Sequence, residues 1–315
     1  MFHCTINMTK TPKIAKHLNM KNTLQRRIFI PFLLLFIVGC KSKISLNIQK
    51  FTVKNKLHHI DYFVGYSSKL NFEKVVLFIG GTGRMSASQD FGKGSEASIY
   101  GYSIVYPEKS FIQDSTKYFK RDNRKQRMYE LKTVVDDLIK KGTKKILLLS
   151  ESEGTMLAPE IAKIYQDKVS GLISLSGSIF PFKDDILFAS ENRIGQFKKL
   201  PSKKKIEKIF REIENQPDNV EKEFMGHSYK FWNSYLDYNP IDDIKQLTCP
   251  ILYVNGENDE LDIIKQKRMI DNLCENGINI RQIIYEGVGH KMENRKRKMV
   301  KDILNWLKNN KIVNE

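Results

Sequence analysis

The chain has little cysteine: four residues in 315. Four cannot form the disulfide framework of a small secreted domain, and two of them, Cys4 and Cys40, fall in an N-terminal leader. Cys249 and Cys274 remain, each beside apolar positions. Both are expected as buried thiols, with a single bridge between them as the alternative. Acidic residues are also short, 36 against 53 lysines and arginines, for a formal charge of +17. Long apolar runs are nearly absent. The one present, Ile28 to Val38, lies near the N-terminus, and a mean hydropathy of -0.43 excludes a polytopic membrane protein. No internal repeat or low-complexity stretch is visible, so a chain of this length reads as one large α/β domain with an insertion.

The apolar run follows Lys21, Arg26 and Arg27 and ends in Ile37-Val38-Gly39-Cys40. It is short for a bilayer span and suits the core of a signal peptide. The segment resembles the lipobox of bacterial lipoproteins. That resemblance implies cleavage before Cys40, a diacylglycerol on its thiol, and an exported protein anchored in the cell envelope. A start at Met20 gives a compact signal peptide, and residues 1–19 then read as an over-extension of the frame. The alternative is an ordinary membrane anchor with a chance cysteine.

Residues 1–40 hold six basic and no acidic residues, so removing six from +17 leaves +11. The remaining charge is spread along the chain, with short clusters at Lys203 to Lys205 and Arg295 to Lys298. No nucleic-acid motif accompanies it, so the expectation is a solvated lysine-rich surface and no nucleic-acid partner.

Beyond the leader, short apolar runs alternate with helical periodicity. Extended segments are expected at Phe51 to Val53, Asp61 to Tyr66, Val75 to Ile79, Ser103 to Tyr106, Ile146 to Leu149, Leu172 to Leu175, Ile251 to Val254 and Ile280 to Tyr285. Helices are expected over Arg127 to Lys141, Gly154 to Asp167 and Lys296 to Lys308. Apolar strands separated by helices predict a mostly parallel central sheet with helices on both faces. From about 181 to 245 the rhythm breaks. That stretch is helical, polar and dotted with aromatics (Phe210, Phe224, Tyr229, Phe231, Trp232, Tyr235, Tyr238), and is expected to form a helical cap over the sheet. Its aromatics fit either an apolar acyl site or the cap's own small core. His227 and Trp232 are candidates for lining the pocket.

The strongest chemical signal is Leu147-Leu148-Leu149-Ser150-Glu151-Ser152-Glu153-Gly154, a buried strand running into a helix through a serine-centred turn. Such a turn places a hydroxyl at a helix N-terminus, where free N–H groups favour developing negative charge. An N-cap serine without chemistry is the competing reading. Ile79-Gly80-Gly81-Thr82-Gly83 follows an earlier strand. It lacks the lysine–serine ending of a P-loop and the spacing of a dinucleotide fingerprint. A strand and turn, Pro250 to Asp259, ends in acids. Tyr285-Glu286-Gly287-Val288-Gly289-His290 places a histidine in a glycine-flanked loop before the last helix.

From about Lys74 onward, the insertion apart, these features resemble the α/β-hydrolase superfamily, whose nucleophile elbow is written G-x-S-x-G and whose chain order is Ser, Asp, His. Ser150 stands where the first glycine is usual, and Gly80-Gly81 replaces the common His-Gly. The resemblance implies Ser152 as nucleophile, His290 as general base and Asp259 as orienting acid, with Glu257 and Asp262 as rivals. It implies an oxyanion hole from the backbones of Thr82 and Glu153. No cofactor or metal is required. The expected activity is hydrolysis of an ester or thioester of a small acyl substrate through an acyl-enzyme. The chain has no large propeller to select peptides, so peptidase activity ranks second. Acyl transfer, or binding without catalysis, remain alternatives; fold alone does not fix function.

Overall fold

The computed structural model describes residues 44–54, 59–112, 115–292 and 296–314. The segment expected to be a leader, with Cys4, Met20 and Cys40, lies outside the described residues.

Strands β1 (Asn47–Lys54), β2 (His59–Tyr66), β3 (Lys74–Ile79), β4 (Ser103–Pro107), β5 (Lys145–Glu151), β6 (Val169–Leu175), β9 (Ile251–Gly256) and β10 (Ile280–Tyr285) form one eight-stranded sheet in the order β1-β2-β4-β3-β5-β6-β9-β10. A separate two-residue hairpin joins β7 (Glu223–Phe224) to β8 (His227–Ser228). β1–β2 and β2–β4 pair antiparallel; every other pair in the large sheet is parallel. Parallel strands are covered on both faces, which is why β3 reads as the unbroken run Val75 to Ile79. Val75, Leu77 and Ile79 enter one core and Val76 and Phe78 the other.

Helices α1 (Tyr118–Arg121), α2 (Arg124–Lys140), α3 (Ala158–Ile164), α4 (Phe182–Asn192), α5 (Lys203–Glu214), α6 (Tyr229–Tyr235), α7 (Pro240–Ile244), α8 (Ile263–Glu275) and α9 (Lys296–Asn309) complete the chain. Leu131, Val134 and Leu138 of α2, Ile161 of α3 and Ile270 of α8 pack on the first face; Trp306 and Leu307 of α9 pack on the second. Asn123 caps α2, its side chain accepting the Gln126 N–H at 3.0 Å. No helix among the described residues is long and apolar enough to cross a membrane.

Two expectations need correction. The helix predicted from Gly154 begins as a 3-10 turn, Ser152–Met156, and becomes α-helical only at Ala158, with Pro159 in its first turn. Cys274 is exposed rather than buried, because it follows Leu273 by a 100° step around α8 and faces away from the core. Cys249 is half-buried, and both thiols are free.

Between β6 and β9 lie α4 to α7, the small hairpin and a 3-10 turn at Gly195–Lys199. Phe210, Phe224, Tyr229, Phe231, Trp232 and Tyr235 are all buried there and continue the first core.

Candidate active site

β5 delivers its chain end to the middle of the sheet's C-terminal edge, where ligands meet α/β sheets. Ser152 follows at once, with φ of +53°. A non-glycine residue in the left-handed region is strained by about 1–3 kcal/mol and persists only where its surroundings impose it. They do here. A Cβ on Gly154 would sit 2.0 Å from the Ile79 carbonyl oxygen, so the turn presses on the end of β3 and tolerates no side chain at that position. Ser150 keeps the elbow open differently: its fully buried hydroxyl donates to the Ile173 carbonyl at 3.0 Å and lies 3.1 Å from the Ser174 hydroxyl. That satisfies the polar group and accounts for a serine where glycine is usual.

Three loops converge on Ser152. From β10 comes His290, whose Nε2 lies 3.2 Å from Ser152 Oγ. From β9 comes Asp259, 2% exposed, whose Oδ1 lies 2.9 Å from His290 Nδ1 and accepts the Glu260 N–H at 2.7 Å. The two loops are pressed together: a Cβ on Gly256 would stand 2.1 Å from the Val288 carbonyl oxygen. The Ser176 hydroxyl donates to the His290 carbonyl at 2.5 Å, fixing the loop from β6. The rival acids are elsewhere. Glu257 accepts the Gly287 N–H at 3.0 Å on the surface, and Asp262 caps α8 through the Lys265 N–H.

Burial of the imidazole favours its neutral form, but the hydrogen bond and charge of Asp259, with Glu260 and Glu151 behind it, outweigh that and raise the His290 pKa above 6.5. Glu260 Oε2 lies 3.6 Å from Nδ1. Ligand atoms of Asp259, Glu260 and His290 fall within 4.8 Å of one another, a spacing that would admit a metal ion. The hydrogen bonds of both ring nitrogens compete with that use, since Nε2 faces Ser152 and Nδ1 faces Asp259.

The third loop follows β3. A Cβ on Gly81 would be 3.0 Å from Ser152 Cβ, so this backbone touches the nucleophile. Thr82 lines the cavities on both sides of Ser152. Glu153, 1% exposed, lies in the first turn after the serine, where backbone N–H groups have no partner within the turn.

Ser152 and His290 border two cavities. One, about 320 Å³, opens toward the loops after β3 and β4 and is lined by charged side chains including Asp90, Lys93, Glu108 and Lys109. The other, about 270 Å³, lies beneath the β6–β9 segment and is walled by Phe182, Ile186, Phe197, Phe231 and Trp232. His227 borders it too. Its ring stacks on Phe231 at 3.9 Å, with Nδ1 2.8 Å from Asp122 and 3.1 Å from the Tyr118 hydroxyl. Trp232 is 5% exposed and donates its indole N–H to the Phe224 carbonyl at 2.6 Å, so most of it serves packing.

Several neighbours of the site carry no motif. Asp185 borders the apolar cavity with its Oδ2 buried and without a hydrogen bond; burial holds its carboxyl well above the usual range, against the Ser178 hydroxyl that donates to it at 3.0 Å. Lys109, just past β4, donates to the carbonyls of Gly81 at 2.5 Å and Gly83 at 3.1 Å. The only sequence signal for Lys109 is its place after the C-terminal end of a strand that pairs in parallel with β3.

The sheet order, the elbow and the loop placement match the α/β-hydrolase fold. A family model described as the prolyl oligopeptidase family matches residues 210–311. No curated protein matches the sequence. Among solved structures, the chain is similar to a proline iminopeptidase of Mycobacterium smegmatis (14% identity, 84% of this chain and 99% of that one, TM-score 0.60). It is also similar to a thermostable carboxyl esterase of Bacillus coagulans (13% identity, 84% and 98%, TM-score 0.61). A third is the acylaminoacyl peptidase of Pyrococcus horikoshii (15% identity, TM-score 0.58), where the match covers 84% of this chain and 41% of the other. At these identities the likeness establishes the fold, and the chemistry must be argued from the site.

Proposed function

We propose that the protein is a membrane-anchored serine hydrolase that cleaves an ester or thioester through an acyl-enzyme. Ser152 is the nucleophile, His290 the general base, Asp259 the orienting acid, and the backbones of Thr82 and Glu153 the oxyanion donors. Cys40 carries the lipid anchor. The observation that carries the catalytic reading is the continuous hydrogen-bonded series Ser152 Oγ–His290 Nε2 at 3.2 Å and His290 Nδ1–Asp259 Oδ1 at 2.9 Å, starting from a serine held at φ +53°.

His290 removes the Ser152 proton as Oγ adds to the substrate carbonyl carbon, and Asp259 stabilises the imidazolium that forms. The carbonyl oxygen becomes an oxyanion against the two backbone donors. Collapse expels the leaving group, which takes the proton from His290. A water molecule, deprotonated by His290, then repeats the sequence on the acyl-enzyme. The apolar cavity suits an acyl chain, and the charged cavity a polar leaving group. Cleavage of a peptide or amide bond is the second reading, favoured by the prolyl oligopeptidase family match over residues 210–311.

The test is covalent labelling of the purified protein by a fluorophosphonate. One labelled site is expected, lost in Ser152→Ala. An unlabelled wild type sinks the catalytic reading. Matched p-nitrophenyl esters and p-nitroanilides of one acyl group then separate esterase from peptidase.

A further inference from the structure

A peptide unit is planar and trans, so its C=O and N–H point in opposite directions. The Gly81 carbonyl and the Thr82 N–H belong to one such unit. Whatever holds the Gly81 oxygen therefore also aims the Thr82 N–H. Lys109 holds it, donating at 2.5 Å to Gly81 and at 3.1 Å to Gly83, so the loop is pinned on both sides of Thr82. The lysine side chain is 8% exposed, and among the described residues the carboxylate within ion-pair range is that of Glu153, whose Oε2 lies 4.0 Å from Nζ. Glu153 is the residue whose backbone supplies the second proposed donor. Its Oε1 accepts a hydrogen bond from the Tyr235 hydroxyl of α6. Arg127, wholly buried beneath them, pairs with Glu130 at 2.8 Å.

We infer that Lys109 is a positioning residue for the oxyanion hole, which orients and polarises the Gly81–Thr82 peptide, with the Glu153 carboxylate as its buried counter-ion. This rests on the serine hydrolase reading. A cation on the carbonyl oxygen draws electron density from the amide and strengthens the N–H as a donor, an effect enlarged where water is excluded. Burial presses the Lys109 ammonium toward neutrality and the Glu153 charge opposes that. The two charges thus depend on each other. Through Tyr235, the segment between β6 and β9 is tied to the same pair.

The experiment compares wild type, Lys109→Met, Lys109→Arg and the double variant Lys109→Met/Glu153→Gln. The readouts are kcat and KM on a p-nitrophenyl ester, inhibition by an alkyl boronic acid that forms a tetrahedral serine adduct, and thermal melting. Loss of a whole oxyanion donor costs about 10²–10³ in kcat; misaiming one should cost about 10- to 100-fold. Lys109→Met should lower kcat by that factor with KM unchanged, and boronate affinity should fall in parallel, since both report the tetrahedral state. Lys109→Arg should recover part of both. The double variant removes the unpaired charge and should melt near wild type while keeping the kcat defect. Wild-type kcat in Lys109→Met overturns the inference. So does a double variant that regains both kcat and boronate affinity, which would reduce Lys109 to charge balance. If the wild type itself takes no fluorophosphonate label, the hydrolase reading falls, and the positioning role falls with it.

Discussion

At Ser152 the backbone is held in a conformation its own side chain disfavours, and the neighbours that hold it are the residues a motif can record. Gly154 must lack a Cβ because Ile79 occupies the space, and that requirement is legible as a glycine two positions on. The loops that carry Asp259 and His290 were legible for a similar reason: each follows a strand as a short turn rich in glycine or acids. Lys109 and Asp185 were not. Their partners are Gly81 and Ser178, reached through folding, and nothing local marks them. The choice among Glu257, Asp259 and Asp262 also depends on that geometry. Asp259→Asn removes the group that raises the His290 pKa, so two effects follow. The activity of the wild type should rise with pH along a limb centred above 6.5, because the free enzyme must lose a proton from His290 before it can act as base. In Asp259→Asn that limb should move to lower pH, and kcat should fall by about 10⁴. Glu257→Gln should change neither. A kcat/KM–pH profile of the three proteins checks this; a larger defect in Glu257→Gln would reassign the acid.

Among the elements, the parallel strands were the easiest to read, since β3, β5, β6 and β9 are covered on both faces and carry unbroken apolar runs. The segment between β3 and β4 was legible only at its glycine loop, Gly80 to Gly83. It forms two 3-10 turns, Ala87–Asp90 and Ser95–Tyr100, with too few apolar positions to show a period. The stretch 181–245 was legible as helical, but the division of its aromatics was not. Periodicity cannot separate a side chain that walls a cavity from one that packs the layer above it. Trp232 shows the difficulty: it borders the cavity yet is 5% exposed and hydrogen-bonded to Phe224. Its removal should cost about 3–5 kcal/mol of stability and obscure any effect on substrate. Phe182 is the cleaner probe. It is half-buried, borders the cavity, and stacks on Tyr235 with ring centroids 5.3 Å apart. If this cavity takes the acyl group, each added methylene contributes about 0.8 kcal/mol, or about fourfold in kcat/KM, until the cavity is full. A p-nitrophenyl ester series should show that slope in the wild type and a flatter one in Phe182→Ala, with the acetate ester little changed. Equal slopes would place the acyl chain elsewhere.

On the scale of the whole molecule, two forces could bring the protein to a membrane, and they respond differently to salt. One is the lysine-rich surface, with +11 remaining after residues 1–40 are removed. Attraction of that kind to anionic headgroups is screened over about 8 Å at physiological ionic strength and about 3 Å at 1 M. The other is the lipid proposed for Cys40, whose diacylglycerol provides the two chains that stable anchoring requires. Apolar insertion does not weaken as salt rises. Membranes from cells making the wild type should therefore retain the protein through a 1 M salt wash and release it to detergent. Cys40→Ser should leave it in the soluble fraction or as an uncut precursor, while the fluorophosphonate reaction of Ser152 is preserved, because every residue proposed for the active site, from Thr82 to His290, lies well beyond Cys40. Release of the wild type by salt alone would assign the attachment to surface charge. A Cys40→Ser variant that is cut and salt-resistant like the wild type would show that neither the cysteine nor its lipid holds the protein in place.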